Sequence, residues 1–148
     1  MCYHDDMKIV VDTSVMFQAL MSSTGASHEI LRLIRTAEIQ IAISVPVFEE
    51  YSDVFLRQSS LTSFNLEANE IVSFLDFIAL VSVKTDIRFL MRPNLQDEND
   101  NIFAELAFAS GADYLITRNT KDFLNNSDLI LDSFQVVNPY EFLQVRRS

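Results

Sequence analysis

Apolar positions along this chain follow two rhythms, short unbroken runs and helical spacing. Ile9-Val10-Val11 is a run bounded by Lys8 and Asp12, and it reads as a buried strand over about Lys8 to Asp12. Thr13 or Ser14 can then cap a helix that carries Val15, Phe17 and Leu20. A loop at Ser22 to Gly25 leads to a second helix, whose Ile30, Leu31 and Ile34 keep helical spacing. Ile39 to Val45 is a second strand, and Pro46 suits the first turn of a helix that continues to about Arg57. Ile71, Phe74, Leu75 and Ile78 recur at i, i+3, i+4 and i+7, which predicts an amphipathic helix over about Leu66 to Ala79. Val81 to Val83 is a short strand candidate, and Ile87 to Met91 has no decisive pattern. Asp97 to Ser110 reads as a helix with Ile102, Phe103, Leu106 and Ala107 on one face and Gly111 at its C-terminal cap. Tyr114 to Thr117 is a strand, Lys121 to Leu124 a helical turn, and Phe134 to Val137 a last strand before a helix that starts at Pro139. Strands alternating with helices predict a mostly parallel sheet covered by helices on both faces.

The chain has 148 residues, the length of one domain, and neither an internal repeat nor a linker divides it. Residues 1–7 read as a flexible leader without the features of a signal peptide, and 8–148 as a single domain. No apolar run approaches the roughly 20 residues needed to span a bilayer. A single cysteine, Cys2, excludes a disulfide framework and a thiolate metal site, which points to the cytoplasm. The net charge of −10 gives no broad attraction for nucleic acid. Contact with a phosphate backbone must therefore be local or bridged by cations, and the same charge favours a basic protein partner.

In a parallel sheet every strand ends at one edge, and the next helix begins there. Asp12 ends the first strand, and Glu49 and Glu50 follow the second. Asp97, Glu98 and Asp100 open the helix before the Tyr114 strand, and Asn119 and Asp122 follow that strand. Acids far apart in sequence thus reach one edge, where they repel one another unless a divalent cation holds them. Oxygen ligands without His or Cys select magnesium or manganese. Helical phase separates the two glutamates: Val47, Phe48, Tyr51, Val54 and Phe55 mark the buried face, Glu50 lies at its margin and Glu49 points away. Asp12 can also be read as a helix N-cap, and Asp97 with Asp100 as a capping box. Asn119 can be a turn residue or an oxygen donor, Asp122 a helix flank or a ligand, and Thr117 strand filling or a hydroxyl donor to a carboxylate. Arg92, Arg118 and Lys121 are surface charges or phosphate contacts. His4 and His28 are isolated and receive no role.

These residues resemble the PIN-domain family. Ile9-Val10-Val11-Asp12-Thr13-Ser14 is similar to its opening strand and first acid, and Val45-Pro46-Val47-Phe48-Glu49-Glu50-Tyr51-Ser52-Asp53-Val54-Phe55 to the segment whose acid matches Glu50. The stretch from Arg92 to Asn101 matches its third acid with Asp100 and runs on through Gly111-Ala112-Asp113-Tyr114-Leu115-Ile116-Thr117-Arg118-Asn119 to Phe123. Val137 to Leu143 resembles its closing strand and helix. The likeness covers nearly the whole chain from Lys8.

The resemblance implies a PIN-like three-layer α/β/α domain and a nuclease dependent on Mg2+ or Mn2+, acting on RNA. Asp12, Glu50 and Asp100 would be its catalytic metal ligands, with Asn119, Asp122 and Asp97 as further ligands. Thr13, Ser14, Arg92, Thr117, Arg118 and Lys121 would contact substrate. The cation would activate water for in-line attack at phosphorus. Many small members are toxins of type II toxin–antitoxin pairs, which implies a small basic antitoxin and a homodimer. The chain departs from the pattern at Asn119, where the family often has Asp. That leaves open one metal or two, and it opens an alternative: a weak or inactive scaffold that binds nucleic acid or protein. A phosphotransfer enzyme with Asp12 as nucleophile is a third reading. It lacks the second Asp, since Ser14 stands there, and Lys8 to Val11 holds no acidic pair.

Overall fold

A computed structural model describes residues 7–87, 98–124 and 133–147, with backbone alone at 98–101 and 124. Strand β1 is Lys8–Val11, and its consecutive Ile9, Val10 and Val11 are all buried. Successive side chains of a strand point to opposite faces, so this strand is covered on both. The chain continues through α1 (Thr13–Met21), α2 (Ala26–Arg35), β2 (Gln40–Ile43), α3 (Val45–Phe55), α4 (Gln58–Phe64), α5 (Ala68–Val81) and β3 (Val83–Lys84). It ends with α6 (Glu98–Ser110), β4 (Tyr114–Ile116), α7 (Thr120–Leu124), β5 (Gln135–Val137) and α8 (Pro139–Arg147).

The sheet order is β3-β2-β1-β4-β5, and every pair is parallel. Ile9 stands opposite Ile41 on one side and Tyr114 on the other, and Val11 opposite Ile116. The chain lays down β1, moves outward to β2 and β3, then returns to the other side of β1 for β4 and β5. The order thus reverses between β1 and β4. Open parallel sheets bind ligands in the crevice beyond the strand ends at such a reversal. Helices complete a three-layer α/β/α domain: α2 packs on α8, and α6 lies across β1, β2 and β4 against α3.

An aromatic cluster ties the helices together. Phe17 of α1 meets Phe64 of α4 at 4.7 Å, and Phe55 of α3 touches Phe17, Phe64 and Phe74. Tyr51 stacks on Phe55 at 5.7 Å and lies 6.3 Å from Phe103 of α6.

Several boundaries differ from the sequence expectation. Val45 opens α3 and does not close β2, because Ser44 is the N-cap and its Oγ accepts the Val47 N–H at 3.4 Å. Helix α3 stops at Phe55, and Arg57 is extended before α4, which the sequence pattern does not announce. Val81 still belongs to α5, so the third strand begins at Val83. Thr13 and Ser14 are helical residues, and the N-cap position of α1 falls to Asp12, whose side chain makes no cap bond. Ile71, Leu75 and Ile78 are buried with Phe74 beside them, and Gly111 at the end of α6 has φ +69°, both as the sequence reading has it. Met7 joins the sheet through its carbonyl, which accepts the Gln40 N–H at 2.9 Å. Arg92, Asp97 and most of Ile87 to Met91 lie outside the described residues. No helix among the described residues is long and apolar enough to cross a membrane.

Candidate active site

Asp12 sits at the reversal point of the sheet. Its N–H donates to Ile116 O at 2.9 Å, one step past the paired residues of β1 and β4. Its carbonyl accepts the N–H groups of Val15 and Met16 at 3.0 and 3.3 Å, which starts α1 at once. Strand and helix leave no slack between them, so the carboxylate is held at the strand end and is only 7% exposed. A buried carboxylate is costly unless donors or a cation answer it. Two hydroxyls do so here: Thr117 Oγ1 donates to Asp12 Oδ2 at 2.7 Å and Ser14 Oγ donates to the same oxygen at 2.9 Å.

Thr117 directly follows β4 and its own N–H donates to Val137 O at 2.9 Å, so β5 fixes its backbone. Its side chain is wholly buried and reaches Asp12, not the surface. Beyond it, the Arg118 N–H donates to Ser14 Oγ at 3.3 Å and the Asn119 N–H to Thr117 Oγ1 at 3.0 Å. The Arg118 guanidinium reaches back to Gln18 Oε1 at 3.1 Å. Arg118, Asn119, Lys121 and Asp122 are exposed, and the Asp122 N–H donates to Asn119 O at 3.0 Å. Thr13 is half-buried, and its Oγ1 has no hydrogen-bond partner among the described residues.

Helix α3 is fastened to the same edge by Tyr51, whose hydroxyl donates to Val11 O, the residue before Asp12. Burial, and secondarily the Asp12 charge, push the Tyr51 phenol well above its ordinary value. It is therefore a neutral donor. Glu50, next to Tyr51, is half-buried and Glu49 is exposed, the order that helical phase predicts. Asp100 lies in the first turn of α6 by backbone, and its side chain is outside the described residues. The structure thus brings Asp12, Ser14, Thr117 and the main chain of Arg118 and Asn119 into one network.

Two residues stand out that sequence reasoning passed over or undervalued. Tyr51 reads there only as core, and nothing in the pattern tells a hydroxyl bonded to the strand end from Phe. Glu105 is buried within the apolar run Phe103-Ala104-Glu105-Leu106-Ala107, a placement that was itself the available signal. It lines a cleft of about 620 Å3 at the ends of β2 and β3, walled mainly by Ile43, Val45, Pro46, Phe48 and Ile87. Asp12 is not part of that cleft.

Among the described residues no three acids, histidines or cysteines form a metal-holding group. The donors in view nevertheless suit a hard divalent cation. They are carboxylate and hydroxyl oxygens, with no imidazole or thiolate beside them among the described residues, and one carboxylate is kept in place by protein donors.

A family model for the PIN domain matches residues 8–121. No curated protein matches the chain significantly by sequence. Among solved structures the fold is similar to a chain of VapBC2 from Rickettsia felis bound to a DNA fragment from their promoter. The TM-score is 0.57 at 20% identity, over 89% of this chain and 98% of that one. It is also similar to PAE2754 from Pyrobaculum aerophilum, with a TM-score of 0.55 at 17% identity, over 97% of this chain and 92% of that one. At these identities the structural likeness speaks for the fold.

Proposed function

The chain belongs to the PIN-domain family, and from that premise we propose that it is a nuclease that cleaves RNA with the aid of a magnesium or manganese ion. One observation carries the proposal: a buried carboxylate at the reversal point of a parallel sheet, held by two hydroxyls. Asp12, Glu50 and Asp100 would hold the ion, with Asn119, Asp122 and Asp97 as further oxygen donors. When bound, the ion supplies Lewis acidity and positive potential, which lower the pKa of water and offset phosphate charge.

The chain's own residues do the rest. Ser14 and Thr117 keep the Asp12 carboxylate oriented, and Tyr51 fixes α3, and with it the backbone of Glu50, against the end of β1. Arg118 and Lys121 are exposed in the stretch that follows Thr117 and meet the phosphates of the bound strand. Thr13 lies at the same edge, and Arg92 completes the proposed substrate contacts. With a net charge of −10, attraction for RNA is confined to this mouth. The same charge suits a small basic antitoxin as partner, and the VapBC2 likeness supports a toxin role; a homodimeric state and a cytoplasmic setting complete the proposal.

A second reading, a scaffold that binds without cutting, is favoured by Asn119, which carries no charge where the family often has an acid. Both readings meet in one experiment: a mixed-sequence single-stranded RNA is incubated with manganese, magnesium or chelator, using wild type beside Asp12→Asn. Metal-dependent cleavage by the wild type and none by the variant is the expected result. Equal cleavage by a folded Asp12→Asn removes the mechanism, and no cleavage by the wild type moves the weight to the scaffold.

A further inference from the structure

Arg118 is fastened to α1 at two points. Its N–H donates to Ser14 Oγ at 3.3 Å, and its Nη1 donates to Gln18 Oε1 at 3.1 Å. Ser14 and Gln18 stand four positions apart in one helix, so they share a face. It is not the core face, which Val15, Met16 and Ala19 form. The main chain and the side chain of Arg118 are thus both tied to α1.

The partner of the guanidinium is informative. Arg32, Arg57 and Arg146 each meet a carboxylate, of Glu29, Asp53 and Glu38. Acids outnumber bases by 21 to 11 in this chain, so a carboxylate is the partner an arginine would ordinarily find. Arg118 makes no ion pair among the described residues and is held by a neutral amide instead. An amide oxygen fixes a guanidinium in space and leaves its charge uncancelled. It takes one of five N–H donors, and the rest of the planar fork remains for an acceptor with two oxygens, as a phosphate has. Gln18 is half-buried and Arg118 exposed, so that charge faces solvent.

We infer that Gln18 is a positioning residue that holds the Arg118 guanidinium against α1 with its charge intact, ready to grip a phosphate of a bound RNA strand. This rests on the RNA reading above and adds to it the residue that aims the contact. A side chain held before RNA arrives also loses less freedom on binding, which strengthens the contact it makes.

The test is fluorescence anisotropy of a labelled single-stranded RNA in chelator, which separates binding from metal-dependent cleavage. Wild type, Arg118→Ala, Gln18→Met, Gln18→Glu and the double variant Gln18→Met/Arg118→Ala are titrated over a range of salt, with melting curves as a check on folding. Arg118→Ala should weaken binding about 10-fold and flatten the slope of log affinity against log salt by about 0.7, the share of one phosphate on a single strand. Gln18→Met should weaken binding about 3-fold and keep the slope, because the charge remains and only its placement is lost. Gln18→Glu keeps a partner for Arg118 but cancels its charge, so it should match Arg118→Ala in both affinity and slope. In the Arg118→Ala background Gln18→Met should have no further effect. Wild-type affinity in Gln18→Met, or the same loss from it with and without Arg118, overturns the positioning role. Wild-type affinity in Gln18→Glu overturns the charge argument. Wild-type affinity in Arg118→Ala, or no RNA binding by the wild type at low salt, overturns the inference as a whole; metal-dependent cleavage by that same wild type would still uphold the nuclease reading.

Discussion

Replacing Tyr51 by Phe removes one oxygen atom from the middle of the protein and leaves the rest of the packing in place. The ring is wholly buried, stacked at 8° on Phe55 and set 6.3 Å from Phe103, and Phe keeps all of that. What disappears is the hydroxyl's bond to Val11 O. A neutral hydrogen bond is worth about 1 kcal/mol net, and a buried carbonyl that loses its donor adds to that, so the variant should be less stable by about 1–2 kcal/mol. At this chain length the melting temperature should fall by about 3–6 °C, and the urea midpoint by about 0.5–1 M.

The same hydroxyl has a signature in alkali. Its proton is held in the folded state by burial first and by the Asp12 charge second, so its folded value lies above the unfolded one. A group raised in this way contributes stability fully below the unfolded value, near pH 10, and loses it as pH rises beyond. The wild type should therefore lose about 1.4 kcal/mol per pH unit above about pH 10 from this group, and Tyr51→Phe should not. The two urea curves should converge near about pH 11 and cross beyond it. Denaturant melts from about pH 8 to about pH 11.5 decide the matter. A gap that stays constant over that range, or a variant as stable as wild type at neutral pH, refutes the reasoning.

Two further outcomes are expected. Glu50→Gln should weaken manganese binding by about 10-fold or more while Glu49→Gln leaves it unchanged, because Glu50 is half-buried beside Tyr51 and Glu49 is exposed; equal effects in calorimetry would discard the helical-phase argument. Gly111→Ala should cost about 1 kcal/mol in urea melts, since φ is +69° there and no neighbour obstructs a Cβ, so the loss is purely backbone strain.

The sequence carries the sheet well because its strands are apolar runs and its longer helices are amphipathic. Ile9 to Val11, Leu115 to Ile116 and the Ile71–Leu75–Ile78 stripe are buried as their patterns predict. Helix α4 is different. Gln58-Ser59-Ser60-Leu61-Thr62-Ser63-Phe64 is short and polar, and its place is set by Phe64 packing on Phe17 of α1 and Phe55 of α3. The site shows the same division. Asp12 can be picked out locally as an acid at the end of a buried run, and Glu50 can be told from Glu49 by phase. The network around Asp12 cannot be read locally, because it depends on how Ser14 meets the backbone of Arg118 across the sheet. The sequence leaves Thr117 open between strand filling and a donor to a carboxylate, and only the β1–β4 register shows that the donor is realised.

That register also has a consequence in time. Asp12 and Thr117 are separated by 105 positions, and a ribosome adds about 5–20 residues per second, so on the order of 5 to 20 seconds pass between their syntheses. Until β4 emerges, the central strand of the sheet has one side unpaired and its carboxylate lacks the buried hydroxyl that steadies it. Truncated products that stop before β4 carry Asp12 without the Thr117 hydroxyl that donates to it. The pairing of β1 with β4 waits for the last quarter of the chain, and a contact of that sequence separation carries a loop-closure cost that slows folding.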